Sequence, residues 1–213
     1  MTRVKICGVR DRRTAEAAAD AGADALGLVF YAPSPRSVDV DTAAAIVRSL
    51  PPLLTTVGLF VDPSADEVEA VLERCALDCL QFHGAESPEF CRSFGRPYLR
   101  AVSMRPDLDA AAVVRAHEGA RAFLFDAWRE GTPGGTGETF AWERIPPMER
   151  PWLLAGGLNP LNVGEAIRRV RPPAVDVSGG VERERGVKDP QLIRAFIAAV
   201  RNADREQTRN EAA

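Results

Sequence analysis

Val4-Lys5-Ile6-Cys7-Gly8, followed by Val9-Arg10-Asp11, lies almost at the start of the chain. Its apolar run predicts a short β-strand that stops at Cys7. Helix-forming residues follow Asp11, so the chain passes from strand to helix just beyond the cysteine. A thiol at the C-terminal end of a buried strand, beside a glycine that lets a ligand approach, is a typical catalytic position in α/β folds. The alternative is that Cys7 is simply a small buried hydrophobic residue, as free cysteines often are.

The same strand-then-helix pattern recurs along the chain. Short apolar runs, which suit strands buried on both faces, begin near residues 4, 26, 55, 79, 98, 122, 152 and 174. Their mean spacing of roughly 24 residues suits the units of an eight-fold barrel. An open doubly wound sheet would favour G-x-G-x-x-G after its first strand, and this chain lacks it there. We therefore expect an α/β fold, a single (β/α)8 TIM barrel over residues 1–203, with a polar, disordered tail over residues 204–213.

Composition limits the class of protein. The 213 residues are 46% hydrophobic, which is enough for one full core. The formal net charge of −3 gives no basic footprint for nucleic acid. We find no apolar run of membrane-spanning length and no signal-peptide pattern, so we expect a cytoplasmic protein that binds neither nucleic acid nor membrane. We expect a monomer or a homodimer.

The cysteine and histidine pattern does not favour a metal site. The four cysteines are Cys7, Cys75, Cys79 and Cys91, and none of them forms a C-x-x-C pair. With two histidines in the chain, a zinc site is not expected. Reduced thiols in a cytosolic enzyme are the simplest account of these residues.

Glycine pairs follow the seventh and eighth predicted strands, at Gly156-Gly157 and Ser178-Gly179-Gly180. In a barrel these loops usually hold a phosphate group. Backbone N–H groups at such turns can bind an anion, and the glycines leave room for it. The alternative is that both pairs form only tight turns. We expect the first reading, and therefore a small phosphorylated ligand.

Polar side chains end several other predicted strands or lie in the loops after them. Asp126 follows four apolar residues, and a carboxylate there is costly to bury unless it is solvated or used. It lies across the predicted barrel mouth from Cys7, and a thiol and a carboxyl group can transfer protons on a sugar. Arg36 could bind a substrate carboxylate, although a lone loop arginine is often just solvated. His83 could line the pocket or simply end its strand. The glycine-rich loop 131–137 predicts a lid next to Asp126.

With these residues in view, the chain resembles the phosphoribosylanthranilate isomerase family of tryptophan biosynthesis over nearly its whole length. Each matching segment is weak alone, but seven in the right order are specific. Gly179 stands where the family often has a second serine, a departure that should spare the backbone donors. The segments are Lys5-Ile6-Cys7-Gly8, Gly27-Leu28-Val29-Phe30 with Ser34-Pro35-Arg36, Val57-Gly58-Leu59-Phe60-Val61, Leu80-Gln81-Phe82-His83-Gly84, Asp126 with Gly134-Gly135-Thr136-Gly137, Leu154-Ala155-Gly156-Gly157-Leu158-Asn159-Pro160-Asn162-Val163, and Val175-Asp176-Val177-Ser178-Gly179-Gly180-Val181-Glu182.

The resemblance implies an Amadori rearrangement of N-(5-phosphoribosyl)anthranilate to 1-(2-carboxyphenylamino)-1-deoxyribulose 5-phosphate, with no metal or organic cofactor. By this resemblance Asp126 is the general acid that opens the furanose ring, and Cys7, as a thiolate, is the general base. Arg36 would hold the anthranilate carboxylate, and the two glycine loops would hold the phosphate. A free thiol has a pKa of about 8.5, so we also expect a nearby cation to lower the pKa of Cys7. Lys5 should face the same side of its strand and is the nearest such group.

Two rival functions fit the same fold. A related aldose–ketose isomerase of histidine biosynthesis would be expected to carry two aspartates, at the ends of strand one and of strand five or six. This chain has Cys7 at the first of these positions. A non-catalytic phosphosugar-binding barrel would bind phosphate without turnover. Fold alone cannot choose among these functions, so the choice depends on Cys7, Arg36 and Asp126 together.

Overall fold

The structure, a computed structural model, describes residues 1–128 and 139–211. At its centre is a closed barrel of eight parallel strands in sequence order, in which the first strand pairs with both the second and the eighth. This confirms the predicted (β/α)8 fold class. The predicted lid, residues 131–137, lies outside the described residues. The strands are β1 (Arg3–Cys7), β2 (Ala25–Val29), β3 (Thr55–Phe60), β4 (Cys79–Phe82), β5 (Tyr98–Ser103), β6 (Ala122–Asp126), β7 (Trp152–Leu154) and β8 (Ala174–Val177).

Helices cover the outside of the barrel. Between β6 and β7 the described residues form a single 3-10 turn, Trp142–Arg144, where the other connections carry an α-helix or, after β8, a hairpin and then a helix. The α-helices in the described ranges are α1 (Arg12–Asp20), α2 (Val40–Ser49), α3 (Ala65–Arg74), α4 (Pro88–Arg92), α5 (Ala110–Ala116), α6 (Val163–Val170) and α7 (Pro190–Glu211).

Local sequence sets where the first helix begins and ends. The Asp11 side chain accepts a hydrogen bond from the backbone N–H of Thr14 and caps α1. Gly22, with φ +90°, lets the chain leave the helix in a left-handed conformation. Because α1 begins five residues after Cys7, the thiol stays at the mouth of the barrel at the end of β1.

Successive side chains of a strand point alternately into two cores, one between the barrel and its helices and one inside the barrel. Val4 and Ile6 of β1 are fully buried between the barrel and its helices. Lys5 and Cys7, the alternate residues, face the barrel interior. At the N-terminal end, that interior is filled by apolar side chains, which include Val57, Cys79, Leu99 and Ala122. The C-terminal end is the polar one, and the candidate site lies there.

The last helix corrects the predicted C-terminal tail. α7 continues to Glu211 instead of ending near residue 203, so the expectation of a disordered tail is wrong for residues 204–211. Asp204 accepts hydrogen bonds from the backbone N–H and the hydroxyl of Thr2, at 2.8 and 2.7 Å. The side chain of Gln207 donates to the carbonyl of Ile167 at 2.9 Å. These tertiary contacts keep residues 204–211 helical, although their polar sequence alone predicts a disordered tail.

The chain after β8 forms a structure that the sequence reading missed. A 3-10 turn, Gly179–Val181, leads into an antiparallel hairpin of β9 (Glu182–Glu184) and β10 (Val187–Lys188). Gly186 makes the hairpin turn with φ +84°. The hairpin places two charged side chains behind the mouth of the barrel, as described below. No helix in the described part of the chain is long and apolar enough to cross a membrane.

Candidate active site

Cys7 is the last residue of β1 and is 5% exposed at the C-terminal end of the barrel. Its neighbour on β2 is Gly27, which leaves the room that the thiol occupies. A Cβ atom on Gly27 would lie 2.8 Å from Sγ of Cys7 and 3.1 Å from Nζ of Lys5. The thiol and the ammonium group therefore meet in the space over this glycine, as the alternation along β1 predicted.

Lys5 is shared between Cys7 and a second partner, Asp176 of β8. Nζ of Lys5 donates to Oδ1 of Asp176 at 2.7 Å, and the two side chains are 2% and 9% exposed. Burial alone would lower the pKa of Lys5, but the charges and hydrogen bonds of Asp176 and Cys7 outweigh it and raise that pKa. Lys5 is therefore a fixed cation inside the barrel.

The Cys7 thiol is not acidic in this environment. Burial raises its pKa above the ordinary value, because the interior disfavours a thiolate. Lys5 and Lys188 act in the opposite direction, whereas Asp176 raises the pKa further. The expected cation is present and acts as predicted, but it does not outweigh burial.

Asp126 ends β6 and lies beside His83. Oδ2 of Asp126 is 3.3 Å from Nε2 of His83, and the two side chains are 9% and 8% exposed. Gln81 lies on the other side of the imidazole, with Nε2 at 3.2 Å from Nδ1 of His83. The contact with Asp126 is a close approach and not a hydrogen bond, because Nε2 of His83 has no hydrogen-bond partner among the described residues. The structure thus brings two of the predicted site residues together.

The two glycine loops meet in one cavity. Its wall contains both predicted phosphate loops and the side chains of two aspartates, one from β6 and one from β8. Among the described residues, the backbone N–H groups of the four glycines have no hydrogen-bond acceptor, so they can donate to an anion. The last two glycines also open a short 3-10 turn, Gly179–Val181. The lining residues are Asp126, Ala155, Gly156, Gly157, Leu158, Asp176, Val177, Ser178, Gly179 and Gly180.

Close packing requires glycine in both loops. A Cβ atom on Gly180 would lie 1.9 Å from the carbonyl oxygen of Leu158. Gly156 has φ +79°, and a Cβ there would lie 2.4 Å from the backbone nitrogen of Ala127. The loops after β7 and β8 therefore pack directly on neighbouring backbone, which fixes the positions of their N–H groups.

Arg36 lies at the mouth but is already paired. Its Nε and Nη2 atoms donate to the two carboxylate oxygens of Glu182 at 2.7 and 2.9 Å. Its aliphatic part crosses Gly8, where a Cβ would lie 2.8 Å from Cδ of the arginine. Nζ of Lys188 also donates to Glu182, at 2.7 Å, and to the carbonyl and hydroxyl oxygens of Ser178 at 3.0 and 3.2 Å. Arg36 is thus next to Cys7, within a buried ionic cluster.

His83 lies in a loop that a second buried ion pair holds in place. Glu86 pairs with Arg100 at 2.7 Å, and its carboxylate also accepts the backbone N–H groups of Asp62 and Gly84. Asp62 has φ +47° and accepts the backbone N–H of Ala85 at 2.5 Å. These contacts tie the loops after β3 and β4 together and fix the backbone that carries His83.

Sequence reasoning missed several charged residues of this region. Asp176 was visible as a lone carboxylate in an apolar strand, a signal that could have found it. Glu182 and Lys188 lie in a hairpin that was not predicted, and their spacing of six residues carries no signal. Among residues 1–128 and 139–211, no three histidine, cysteine or acidic side chains lie together in a way that could hold a metal ion.

Comparisons with known proteins agree on one family. The model of the family described as N-(5'phosphoribosyl)anthranilate (PRA) isomerase matches residues 4–199. A relative from Pseudomonas fluorescens (strain SBW25), named N-(5'-phosphoribosyl)anthranilate isomerase, is 55% identical over 202 residues, 94% of this chain and 96% of its own.

Solved structures extend this agreement to the fold. The crystal structure of phosphoribosyl anthranilate isomerase from Thermotoga maritima superimposes with a TM-score of 0.85 at 36% identity, covering 95% of this chain and 100% of its own. Another phosphoribosyl anthranilate isomerase, in complex with reduced 1-(o-carboxyphenylamino)-1-deoxyribulose 5-phosphate, has a TM-score of 0.81 at 34% identity, with the same coverage. This chain therefore belongs to the N-(5'-phosphoribosyl)anthranilate isomerase family.

Proposed function

We propose that this chain catalyses the isomerisation of N-(5-phosphoribosyl)anthranilate in tryptophan biosynthesis, with Asp126 as the general acid and Cys7 as the general base. The observation that carries the proposal is the cavity at the C-terminal end of the barrel. Asp126 lines that cavity together with the two glycine loops, so an acid lies next to an anion site. Family membership supports the reaction, and this geometry supports the proposed roles.

The substrate phosphate binds to the loops after β7 and β8. The N–H groups of Gly156, Gly157, Gly179 and Gly180 donate to its oxygens, and the hydroxyl of Ser178 lies at the same edge. These donors are backbone groups on tightly packed loops, so they need little reorganisation on binding. The phosphate thereby fixes one end of the sugar relative to Asp126 and Cys7.

Asp126 acts first. In its protonated form it donates to the furanose ring oxygen, the bond between that oxygen and C1′ breaks, and the anilino nitrogen forms a Schiff base with C1′. His83, with Nε2 at 3.3 Å from the carboxyl group, lies beside the acid at this step. The product of this step is an open-chain iminium ion that keeps its phosphate contacts.

Cys7 completes the reaction. Its thiolate removes the proton from C2′, and the electron pair moves to give an enolamine that tautomerises to the ketone. No atom is gained or lost overall, and no redox cofactor enters the balance. Arg36 binds the anthranilate carboxylate through Nη1, the guanidinium nitrogen that is not bonded to Glu182.

The test follows the loss of anthranilate fluorescence when purified protein meets freshly generated N-(5-phosphoribosyl)anthranilate. Wild type should turn over, and Cys7→Ala and Asp126→Asn should each lower kcat by about a hundredfold or more, the scale for losing a positioned acid or base. Cys79→Ala is the matched control, since it removes another buried thiol from the N-terminal end of the same barrel.

Each outcome bears on a separate assignment. A Cys7→Ala variant that keeps most of its activity would remove Cys7 from the role of base. Turnover by Asp126→Asn close to the wild-type rate would do the same for the acid. Wild type that binds inorganic phosphate yet leaves the substrate unchanged would favour the non-catalytic barrel.

We also infer a cytoplasmic location and a monomeric or homodimeric state. All four cysteines are unpaired and buried, which suits a reducing compartment. Large apolar side chains are exposed at both ends of the barrel, Met1 and Leu53 at the N-terminal end and Trp128 and Leu161 at the C-terminal end. Sedimentation equilibrium would distinguish a monomer from a dimer.

A further inference from the structure

One buried carboxylate organises the cations around Cys7. Glu182 has a side chain that is 5% exposed, and its two oxygens accept four hydrogen bonds. Arg36 supplies two of them, Lys188 supplies one at 2.7 Å, and the backbone N–H of Gly186 supplies one at 3.1 Å. Such a carboxylate is fully engaged, and its pKa is accordingly lowered to about 2 although burial alone would raise it.

The hairpin that carries Glu182 is packed against the loop of Arg36. At the turn, a Cβ on Gly186 would lie 2.4 Å from the carbonyl oxygen of Pro35, the residue before Arg36. Loop and hairpin are thus in backbone contact, on opposite sides of the ionic cluster. The geometry of the cations depends on this contact and on the carboxylate between them.

Arg36 and Lys188 contact different parts of the site. Arg36 crosses Gly8, directly after Cys7, and keeps Nη1 free of partners among the described residues. Lys188 reaches Ser178, at the phosphate side, and its side chain is 2% exposed. Its charge also acts on the Cys7 thiol and favours the thiolate. With two positive charges and one negative charge, the cluster keeps a net positive charge next to Cys7.

We propose that Glu182 is a positioning residue of the reaction. Its carboxylate holds Arg36 where Nη1 meets the substrate carboxylate, and it holds the ammonium group of Lys188 beside Ser178. Burial lowers the pKa of Lys188, and Glu182 opposes that effect. Loss of the carboxylate therefore disturbs both cations together. The inference rests on the roles proposed above for Cys7 and Arg36.

The test compares Glu182→Gln with Glu184→Gln. Glu184 lies on the same strand of the hairpin but is 67% exposed, with Arg183 as an ion-pair partner at 3.7 Å. For each variant, kcat and KM are measured with N-(5-phosphoribosyl)anthranilate. The pH midpoint of Cys7 alkylation by iodoacetamide is followed by mass spectrometry of its peptide. Glu182→Gln should lower kcat/KM by about a hundredfold with a higher KM, the scale of a misplaced reacting group. Its alkylation midpoint should also move, because the cations next to Cys7 lose the carboxylate that holds them, and Glu184→Gln should match wild type.

Three results would overturn the inference. A folded Glu182→Gln variant with wild-type KM and an unmoved alkylation midpoint would leave Glu182 a purely structural role. If that variant does not fold, Lys188→Met keeps the Arg36–Glu182 pair and should raise the midpoint, because it removes a cation that favours the thiolate. An unchanged midpoint would refute the inference. Absence of turnover in wild type would overturn the proposed function and this inference with it. That result differs visibly from a defect confined to the hairpin variants.

Discussion

Replacing Asp176 by asparagine should destabilise the fold and at the same time make the Cys7 thiol more reactive. Asp176 and Lys5 form an ion pair at 2.7 Å in the barrel interior, where their side chains are 9% and 2% exposed. Removing one partner of a buried pair leaves an uncompensated charge, and this typically costs about 3–5 kcal/mol. For a chain of this length that corresponds to a fall in Tm of about 6–20 °C.

Deprotonation of Lys5 limits this loss of stability. A neutral Lys5 no longer leaves an uncompensated charge in the barrel interior. At pH 7.5, about three units below the ordinary lysine pKa of 10.5, deprotonation costs about 4 kcal/mol at 1.36 kcal/mol per unit. The destabilisation should therefore not exceed about 4 kcal/mol from this source. A folded domain with a free energy of unfolding of about 5–15 kcal/mol survives such a loss.

The thiol offers Lys5 a replacement partner. Asp176 raises the pKa of Cys7, and Lys5 lowers it, so Asp176→Asn removes an opposing charge and leaves the cation with the thiol alone. The Cys7 thiolate should become more accessible, and its alkylation midpoint should move to lower pH. Urea unfolding measures the loss of stability, and mass spectrometry of the alkylated Cys7 peptide measures the midpoint in the same preparation.

Asp24→Asn is the control for this experiment. Its carboxylate accepts the backbone N–H of Val4 at 2.8 Å and lies at the opposite end of β1, where it should affect stability without moving the Cys7 midpoint. An alkylation midpoint in Asp176→Asn that stays at, or rises above, the wild-type value would refute the reasoning. The electrostatic coupling of Lys5, Asp176 and Cys7 would then be too weak to matter.

Two further predictions concern the phosphate loop and the ionic cluster. Gly180→Ala should raise KM and lower stability, because its Cβ would lie 1.9 Å from the carbonyl oxygen of Leu158. Gly164→Ala should leave the KM for the substrate unchanged, because the nearest atom to its Cβ would be the end of the Arg168 side chain at 3.4 Å. The pKa of Glu182 is lowered from 4.5 to about 2, since the hydrogen bonds from Arg36 and Lys188 outweigh the opposing effect of burial. The contribution of Glu182 to the free energy of unfolding is therefore complete above pH 4.5 and is lost as the pH falls through 2. Acid titration of wild type should show a loss of about 3 kcal/mol over this range. The Glu182→Gln variant should not show this loss.

The strands and their order could be predicted because a barrel strand carries its own signal. Each is buried on both faces, so it reads as a short apolar run, and the eight runs begin within a residue or so of the observed strands. The end of each strand then identifies the residues at the mouth. Cys7, Asp126 and both glycine pairs were found in this way, because local sequence places them there.

Partners distant in sequence could not be predicted in the same way. Lys5 and Asp176 are 171 residues apart, and Arg36 and Glu182 are 146 apart. These pairs form only because β1 and β8 become neighbours when the barrel closes. The extension of α7 has the same cause, since Asp204 is fixed by Thr2 at the other end of the chain.

The charges at the mouth also suggest why the acid must act before the base. Burial favours the protonated form of Cys7 before the substrate reacts, so the thiol is not yet a base at the start of the proposed reaction. Protonation of the ring oxygen by Asp126 creates an iminium ion on the substrate. A new positive charge near a buried thiol lowers its pKa, because the thiolate then has a partner in a medium of low dielectric constant. In the proposed sequence the thiol releases its proton to solvent when C2′ has become acidic, and Lys5 and Lys188 need supply only part of the stabilisation of the thiolate.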